Sequence, residues 1–247
     1  MSLPNLLALM PALLPALPPA LFAEAFTLWG GAVTWLEVAA FALSLWMVAC
    51  NMRVHILGWP LAIASSVLYG LLFAHSQLYG EAGLQLFFIA LAGWGWWQWW
   101  RGSAGSTQPL TVQRLLPHQR GVIAALTLAA WPLLGAVLAR SADSTVPAYL
   151  PYLDALATVG SVTATLLLGR KRLENWPLWL AVNLFSVGLF AVKGLWLTVI
   201  LYALFAVLSV LGWRAWRALL VAAPGAARGT PAGSMTSAAR GADASHG

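Results

Sequence analysis

Seven runs of apolar residues, each about as long as a membrane-spanning helix, constrain this chain more than any other feature. About 20 apolar residues cross the hydrocarbon core of a bilayer as a helix. Of the 247 residues, 61% are hydrophobic and 8% are charged, whereas soluble domains carry about 25% charged residues. The sequence therefore predicts an all-α integral membrane protein with seven transmembrane helices. The runs lie at about 34–50, 56–74, 81–100, 120–140, 150–169, 176–192 and 195–213.

The segments outside these runs differ in composition. Residues 1–33 are apolar and rich in proline, which disfavours a helix, and they lack the basic residues of a signal peptide. We interpret them as an interfacial or loosely ordered extension, with a cleaved signal or an eighth helix as the alternatives. Residues 101–118 are predicted to form a cytoplasmic loop, residues 119–149 a linking fourth helix with its following loop, and residues 217–247 a disordered cytoplasmic tail.

The basic residues between the runs predict the orientation in the membrane. Cytoplasmic loops of membrane proteins carry the excess of Lys and Arg. Here only Arg140 and Lys193 fall on one side of the predicted bundle. The side with the majority is therefore predicted to be cytoplasmic, which puts the N-terminus outside and the C-terminus inside. That majority comprises Arg53, Arg101, Arg114, Arg120, Arg170, Lys171, Arg172, Arg214, Arg217, Arg228 and Arg240.

The chain repeats itself at an offset of 117 residues. At that offset Trp59-Pro60 falls on Trp176-Pro177, and Arg53 falls on Arg170. Chance explains matches of Leu and Ala in an apolar chain, but it explains paired Trp, Pro and Arg poorly. We therefore predict two three-helix units, residues 34–100 and 150–216, in a parallel 3+1+3 arrangement around the fourth helix. Parallel repeats of this kind are typical of transporters, with a substrate site between them.

A polar and an aromatic side chain share one face in the middle of the sixth run. Asn183 lies one turn from Trp179. An amide at membrane depth needs partners, so either a substrate or a neighbouring helix must supply them. The equivalent positions in the first unit are Ser66 and Ala62. The two units thus differ where an asymmetric substrate would require a difference, and we predict that Trp179, Asn183 and Ser66 bind it.

Three further residues complete the predicted substrate site. Gln85 and Tyr202 are equivalent at the offset of 117 and bring hydrogen-bonding groups into the spans; structural bridging between helices is the alternative. Trp46 has a planar ring that could stack on a ligand, or it could face lipid. Four tryptophans near the predicted cytoplasmic ends of the third and seventh runs are interpreted as interface anchors: Trp96, Trp99, Trp213 and Trp216.

The sequence lacks the patterns of several other classes of protein. His55, His75, His118 and His246 are scattered, and no paired His/Glu or Cys/His spacing indicates a metal site. There is no phosphate-binding glycine loop, and the basic residues form no continuous face for nucleic acid. We therefore expect no catalytic residue, no metal, no cofactor and no nucleic-acid partner.

Several of these residues together resemble the PnuC family of bacterial nicotinamide riboside transporters. The most specific part is Trp179 and Asn183 after Glu174-Asn175-Trp176. The resemblance covers about 35–216. Its other residues are Leu78-Tyr79, Gln85 to Phe88, Gly95-Trp96, Trp99, Asp154, Arg170-Lys171, Ser186, Gly194 and Tyr202.

The resemblance implies a SWEET-like 3+1+3 fold, a homotrimer in the lipid bilayer of the bacterial inner membrane, and facilitated diffusion of nicotinamide riboside. A cytosolic kinase would then trap the substrate by phosphorylation. In that picture Trp179 stacks on the pyridine ring, while Asn183, Gln85 and Tyr202 bind the amide or the ribose.

Two alternatives to this function stay open. Related branches of the family carry thiamine, riboflavin or deoxynucleosides, and the resemblance does not exclude them. From another class, the chain could be a substrate-binding membrane subunit that needs a partner for transport. A membrane enzyme ranks last, because the spans contain no cluster of reactive groups.

Overall fold

The computed structural model describes residues 18–75, 79–102, 111–141, 147–192 and 196–226. Within these residues the chain forms seven long helices and one short hairpin. The helices are α1 (Trp35–Met52), α2 (Gly58–His75), α3 (Tyr79–Arg101), α4 (Pro117–Ser141), α5 (Leu150–Gly169), α6 (Asn175–Val192) and α7 (Trp196–Ala226).

Six of these helices are long and apolar enough to cross a membrane among the residues described: all except α3. The 23 residues of α3 span roughly 35 Å at 1.5 Å per residue, which is enough for a bilayer. Its sequence, however, contains Gln85 and a run of tryptophans near its end, both of which lower its hydropathy. The prediction of a multi-span helical protein is therefore confirmed for six spans.

A β-hairpin precedes α1, where the sequence predicted only helices and a loose extension. Strand β1 (Glu24–Leu28) pairs in antiparallel fashion with β2 (Gly31–Thr34). The turn between them consists of Trp29 and Gly30, both with positive φ, as a two-residue hairpin turn requires. The Trp29 ring meets that of Trp196 at 5.9 Å, so the hairpin lies against the first turn of α7. Residues 1–17 of the predicted extension lie outside the described residues.

The helices pack in two groups, and the two groups contact each other across the bundle. Helix α2 packs between α1 and α3, and α6 packs between α5 and α7. The two groups meet where α1 contacts α7 and where α3 contacts α5. Among the described residues, α4 has extensive contact with α5 only. Only 6% of the span in α4 is buried, so most of this helix faces outward from the single chain.

The turns after α1 and α5 have the same backbone geometry at the offset of 117. Val54 and Lys171 both adopt left-handed φ angles, 54° and 50°. Their amides donate to the carbonyls of Asn51 and Leu168 at 3.1 and 2.9 Å, which closes each helix. A left-handed residue after the last turn is the usual way to satisfy terminal carbonyls, although Gly is the usual residue there. Both turns lead directly into the next helix.

Four buried tryptophans link the two groups of helices at the end of the bundle that carries these turns, which we call the tryptophan end: Trp59, Trp99, Trp176 and Trp216. Trp59 meets Trp99 edge to face at 5.5 Å, and Trp176 meets Trp216 edge to face at 5.6 Å. Gly95 and Gly212 leave room for the Trp59 and Trp176 rings, since a Cβ at either glycine would collide with the ring.

The predicted role of Trp99 and Trp216 as interface anchors is wrong. Trp99 is 8% exposed and Trp216 is fully buried. Trp99 Nε1 donates to the Leu168 carbonyl of α5 at 3.2 Å, and Trp216 Nε1 donates to the Asn51 carbonyl of α1 at 3.1 Å. Because a buried indole N–H needs an acceptor, each tryptophan joins one helix group to the other.

The loop and tail boundaries also differ from the prediction. Helix α4 begins at Pro117 within the predicted loop 101–118, and α7 continues to Ala226 within the predicted tail 217–247. Residues 111–116 lie against the turn after α5, with a parallel bridge between Gln113 and Arg172. The part of the tail beyond residue 226 lies outside the described residues.

Candidate functional site

Asn183 is a buried amide in the middle of α6. Its side chain is 2% exposed, and its Nδ2 donates to the Ser209 hydroxyl of α7 at 3.1 Å. Ser209 in turn donates to the Phe205 carbonyl at 2.7 Å. The Asn183 Oδ1 has no hydrogen-bond partner among the described atoms. Because an unpaired buried acceptor costs about 1–3 kcal/mol, a ligand that donates a hydrogen bond here would gain free energy.

The residues around Asn183 on α6 form a strip of one aromatic and two polar side chains. Trp179 lies one turn earlier and is partly buried. Ser186 lies almost one turn later and is 1% exposed. Positions three and four residues apart share a helix face, so the three side chains follow one another along α6. Such a strip offers a ring for stacking and two hydrogen-bonding groups.

Tyr202 lies on α7 within a group of aromatic rings. Its ring centroid is 5.1 Å from that of Phe190 on α6 and 5.9 Å from that of Phe205. The Tyr202 ring therefore lies where α6 packs against α7. Asn183 and Tyr202 both make contacts that link α6 to α7.

A second polar group, which the sequence analysis did not single out, lies between α1 and α2. Ser44 and Ser65 are buried, and their hydroxyls are 2.6 Å apart. Ser44 also donates to the Ala40 carbonyl at 2.8 Å. The only sequence signal for these serines is a hydroxyl within an apolar run, which is too common to predict a pair.

The remaining predicted site residues are less buried. Ser66 is partly buried beside the buried Ser65, and Gln85 is partly buried on α3. Among the described residues, no hydrogen bond joins either of them to α6 or α7. Trp46 is 55% exposed, which fits its lipid-facing alternative better than stacking on a ligand. The structure thus brings Asn183 and Tyr202 to neighbouring helices but leaves Trp46 on the outside of the chain.

The electrostatics of the described spans are simple. The Glu37 amide donates to Thr34 Oγ1 at 3.2 Å, so Thr34 caps α1 and Glu37 lies in its first turn, where a carboxylate complements the helix dipole. Asp154 lies near the start of α5. Within the described residues, no group of three or more His, Cys, Asp or Glu side chains could hold a metal ion. Among the described residues, the buried polar side chains in mid-span are amides and hydroxyls, which suit a ligand with several hydrogen-bond donors.

Comparison with known proteins identifies relatives of this chain. Residues 34–218 match a family model described as nicotinamide mononucleotide transporter. The chain is similar to the nicotinamide riboside transporter PnuC of Escherichia coli (strain K12), with 27% identity over 188 residues that cover 68% of this chain and 78% of that protein. It is also similar to the riboflavin/roseoflavin transporter RibM of Streptomyces davaonensis, with 29% identity over 184 residues that cover 70% of this chain and 79% of that protein.

A solved structure has the same fold. The crystal structure of the vitamin B3 transporter PnuC superposes with a TM-score of 0.63 and 21% identity, over 89% of this chain and 90% of that one. At this identity the likeness concerns the arrangement of the helices and carries no information about the ligand.

Proposed function

This chain belongs to the nicotinamide mononucleotide transporter family, and from that premise we propose that it carries nicotinamide riboside across the bacterial inner membrane. The family consists of transporters and the chain is a multi-pass membrane protein. The 27% identity to PnuC supports nicotinamide riboside as the substrate, and the observation that carries the proposed site is the Asn183 amide, which is buried in mid-span with one oxygen that has no partner among the described atoms. Nicotinamide riboside has an amide and several hydroxyls, all of which donate hydrogen bonds.

The proposed binding site uses the strip on α6 and the facing part of α7. Trp179 stacks on the pyridine ring, and the Asn183 Oδ1 accepts a hydrogen bond from the carboxamide or the ribose. Tyr202 contributes its phenol, and Gln85 and Ser66 reach the site from α3 and α2. Burial of Asn183 and its contact with Ser209 support this proposal, because they hold the amide in one orientation.

We further propose that the two groups of helices are parallel repeats, α1–α3 and α5–α7, joined by α4. Equivalent turns after α1 and α5, and equivalent hydrogen bonds from Trp99 and Trp216, support this arrangement. The proposed orientation puts the tryptophan end in the cytoplasm, in agreement with the basic residues beside it. The described N-terminal hairpin then lies on the outer side.

The proposed mechanism is facilitated diffusion, with the substrate trapped afterwards by cytosolic phosphorylation. Its support is the position of the acidic groups: Glu37 and Asp154 lie near helix starts, away from the Asn183 level. A homotrimer belongs to the same proposal. The exposed leucines of α4, such as Leu126 and Leu133, form an apolar face that lipid or another copy of the chain would cover.

Uptake into proteoliposomes tests the transport proposal. Purified protein should take up labelled nicotinamide riboside down its gradient, with or without a pH difference across the membrane. Asn183→Ala should reduce uptake, whereas Trp46→Ala should leave it nearly unchanged. Absence of uptake by the protein alone would contradict the proposal and favour a subunit that needs a partner. Uptake that requires the pH gradient would contradict facilitated diffusion. Glu37 and Asp154 would then be the candidates for proton coupling.

Riboflavin is the second candidate substrate, because the relative from Streptomyces davaonensis is a riboflavin/roseoflavin transporter at similar identity. Competition distinguishes the two. Unlabelled nicotinamide riboside should block uptake of the labelled compound at far lower concentration than riboflavin does. If riboflavin competes better, the substrate assignment is wrong while the transport function stands.

A further inference from the structure

The segment before α4 is fixed to the turn between α5 and α6 by backbone hydrogen bonds. The Gln113 amide donates to the Lys171 carbonyl at 3.0 Å, and the Leu173 amide donates to the Gln113 carbonyl at 2.9 Å. The Arg172 guanidinium also donates to Gln113 Oε1 at 2.9 Å. We call residues 111–116 the strap. It is anchored on both its backbone and its side chains, so it holds a defined place at the tryptophan end.

Glu174 fastens the strap and the start of α4 to the start of α6. Its two oxygens accept from the Leu115 amide at 3.1 Å and from the Arg120 guanidinium at 2.8 Å. The Glu174 side chain is 20% exposed, whereas that of Arg120 is 52% exposed. The carboxylate is therefore occupied on both oxygens, while much of the guanidinium is still open to a second partner.

A cavity of about 400 Å³ lies beside this ion pair. Three arginine residues line it, Arg114 in the strap, Arg120 in α4 and Arg217 in α7, together with the single acidic residue Glu174. Leu173, Pro177 and Trp213 complete the lining. The lining thus carries an excess of positive charge, and the N-terminal ends of α4 and α6 add the positive ends of their helix dipoles.

The equivalent place in the first group of helices has no such charge. At the offset of 117, Glu174 corresponds to Leu57 and Arg217 to Trp100, which are 37% and 79% exposed. The strap and α4, which supply Arg114 and Arg120, have no counterpart there. The basic cavity is therefore a special feature of the second group rather than a general consequence of the fold.

We propose that this cavity binds a phosphate-bearing anion. Guanidinium groups bind phosphate oxygens through short charge-assisted hydrogen bonds, often two at a time. Arg217 lies over the Trp213 ring at 5.2 Å, which holds one guanidinium at the level where tryptophans meet the membrane interface. Two sources supply such a phosphate at this place: the headgroup of an anionic phospholipid and a soluble phosphate ester. Basic pockets between membrane helices are known to take lipid headgroups.

Binding to the purified full chain in a neutral detergent tests this proposal. Phosphatidylglycerol and phosphatidylcholine are compared by native mass spectrometry, and inorganic phosphate and adenosine monophosphate by thermal stabilisation. Preferential retention of phosphatidylglycerol identifies a lipid headgroup, and stabilisation by the soluble anions identifies a phosphate ester. Binding should weaken with salt, as expected for exposed charges. If no anion binds better than phosphatidylcholine or buffer, the proposal is wrong.

Two arginine variants distinguish anion binding in this cavity from general electrostatic attraction to a basic surface. Arg217→Gln should weaken anion binding about tenfold, and it breaks none of the hydrogen bonds that hold the strap. The matched control is Arg214→Gln, which makes the same charge change on the same helix outside the cavity lining; it should have little effect. Equal losses for Arg217→Gln and Arg214→Gln would overturn the proposal.

Discussion

Positions that are equivalent at the offset of 117 have similar contacts at the tryptophan end and different contacts in the middle of the bundle. At the tryptophan end, Trp99 and Trp216 make the same cross-bundle hydrogen bonds and are both buried. In the middle, Asn183 is buried and bonded to Ser209, while its counterpart Ser66 is only partly buried. In this chain the contacts between the two groups of helices are therefore alike in both halves. The mid-span positions, by contrast, have diverged, as an asymmetric ligand would require.

Loss of either buried tryptophan should have the largest effect on stability. Trp99→Ala and Trp216→Ala should each lower the free energy of unfolding by about 3–5 kcal/mol, because each leaves a cavity and removes a hydrogen bond between the two groups of helices. Chemical unfolding in detergent measures the change. Trp100→Ala, at a position that is 79% exposed, is the control and should change stability by less than about 0.5 kcal/mol. If only one of Trp99→Ala and Trp216→Ala lowered the free energy of unfolding by this much, the two contacts would not be equivalent.

The glycines beneath the other two tryptophans provide a second test of equivalence. Gly95→Ala and Gly212→Ala should each destabilise the protein by about 1–3 kcal/mol, because the new methyl group meets the Trp59 or Trp176 ring. Gly93→Ala is the matched control on α3, since nothing lies within 4 Å of a Cβ there. This control should be neutral or slightly stabilising, because Ala favours helix over Gly. If all three variants behave alike, close packing at Gly95 and Gly212 is not what matters.

Substitutions in mid-span should affect binding unequally. Asn183→Ala should weaken nicotinamide riboside binding roughly tenfold, equivalent to about 1.4 kcal/mol, through loss of a hydrogen bond to the ligand. Ser66→Ala should weaken it less than about threefold, since a partly exposed hydroxyl has water as an alternative partner. Calorimetric titration of the purified protein measures both. Equal losses would remove the proposed asymmetry, and no loss from Asn183→Ala would leave that residue a packing role with Ser209.

The serine pair should give the smallest effect. Ser65→Ala removes the hydroxyl that lies 2.6 Å from Ser44 and should cost about 0.6 kcal/mol of stability, the average for hydrogen bonds between membrane helices. Thermal unfolding with and without substrate measures it. A change in the stabilisation by substrate, beyond the change in the free protein, would instead place Ser44 and Ser65 in contact with the ligand.

The sequence predicted the helices well and the hairpin not at all. Apolar length alone gave α1, α2, α5 and α6 within a few residues, because a bilayer sets the length of a span. The hairpin turn uses Trp29 before Gly30, whereas the usual sequence signal is Asn or Asp before Gly. The end of α7 was placed too early because an alanine-rich composition suits both a disordered tail and a helix.

For the candidate site, the sequence predicted Asn183 and Tyr202 but not their partners. An amide in an apolar run is unusual enough to be noticed, whereas Ser209 and Ser65 resemble many other serines in membrane helices. The planar ring of Trp46 suggests stacking on a ligand, but the direction in which that ring points depends on how α1 is rotated against α2 and α7. The same holds for the basic cavity, since Arg120 and Arg217 lie almost a hundred residues apart along the chain.

By itself, the sequence determined that this protein has membrane-spanning helices and which of its stretches form them, because the number of apolar residues that cross a bilayer is fixed. It also determined the offset at which the chain repeats, since matched residues need no structure to be seen. Which matched residues hold the bundle together, and which polar groups are in contact, depends on the packing of the helices in three dimensions. Burial and hydrogen bonding depend on the neighbouring helix, and no local pattern along one helix contains the position of another.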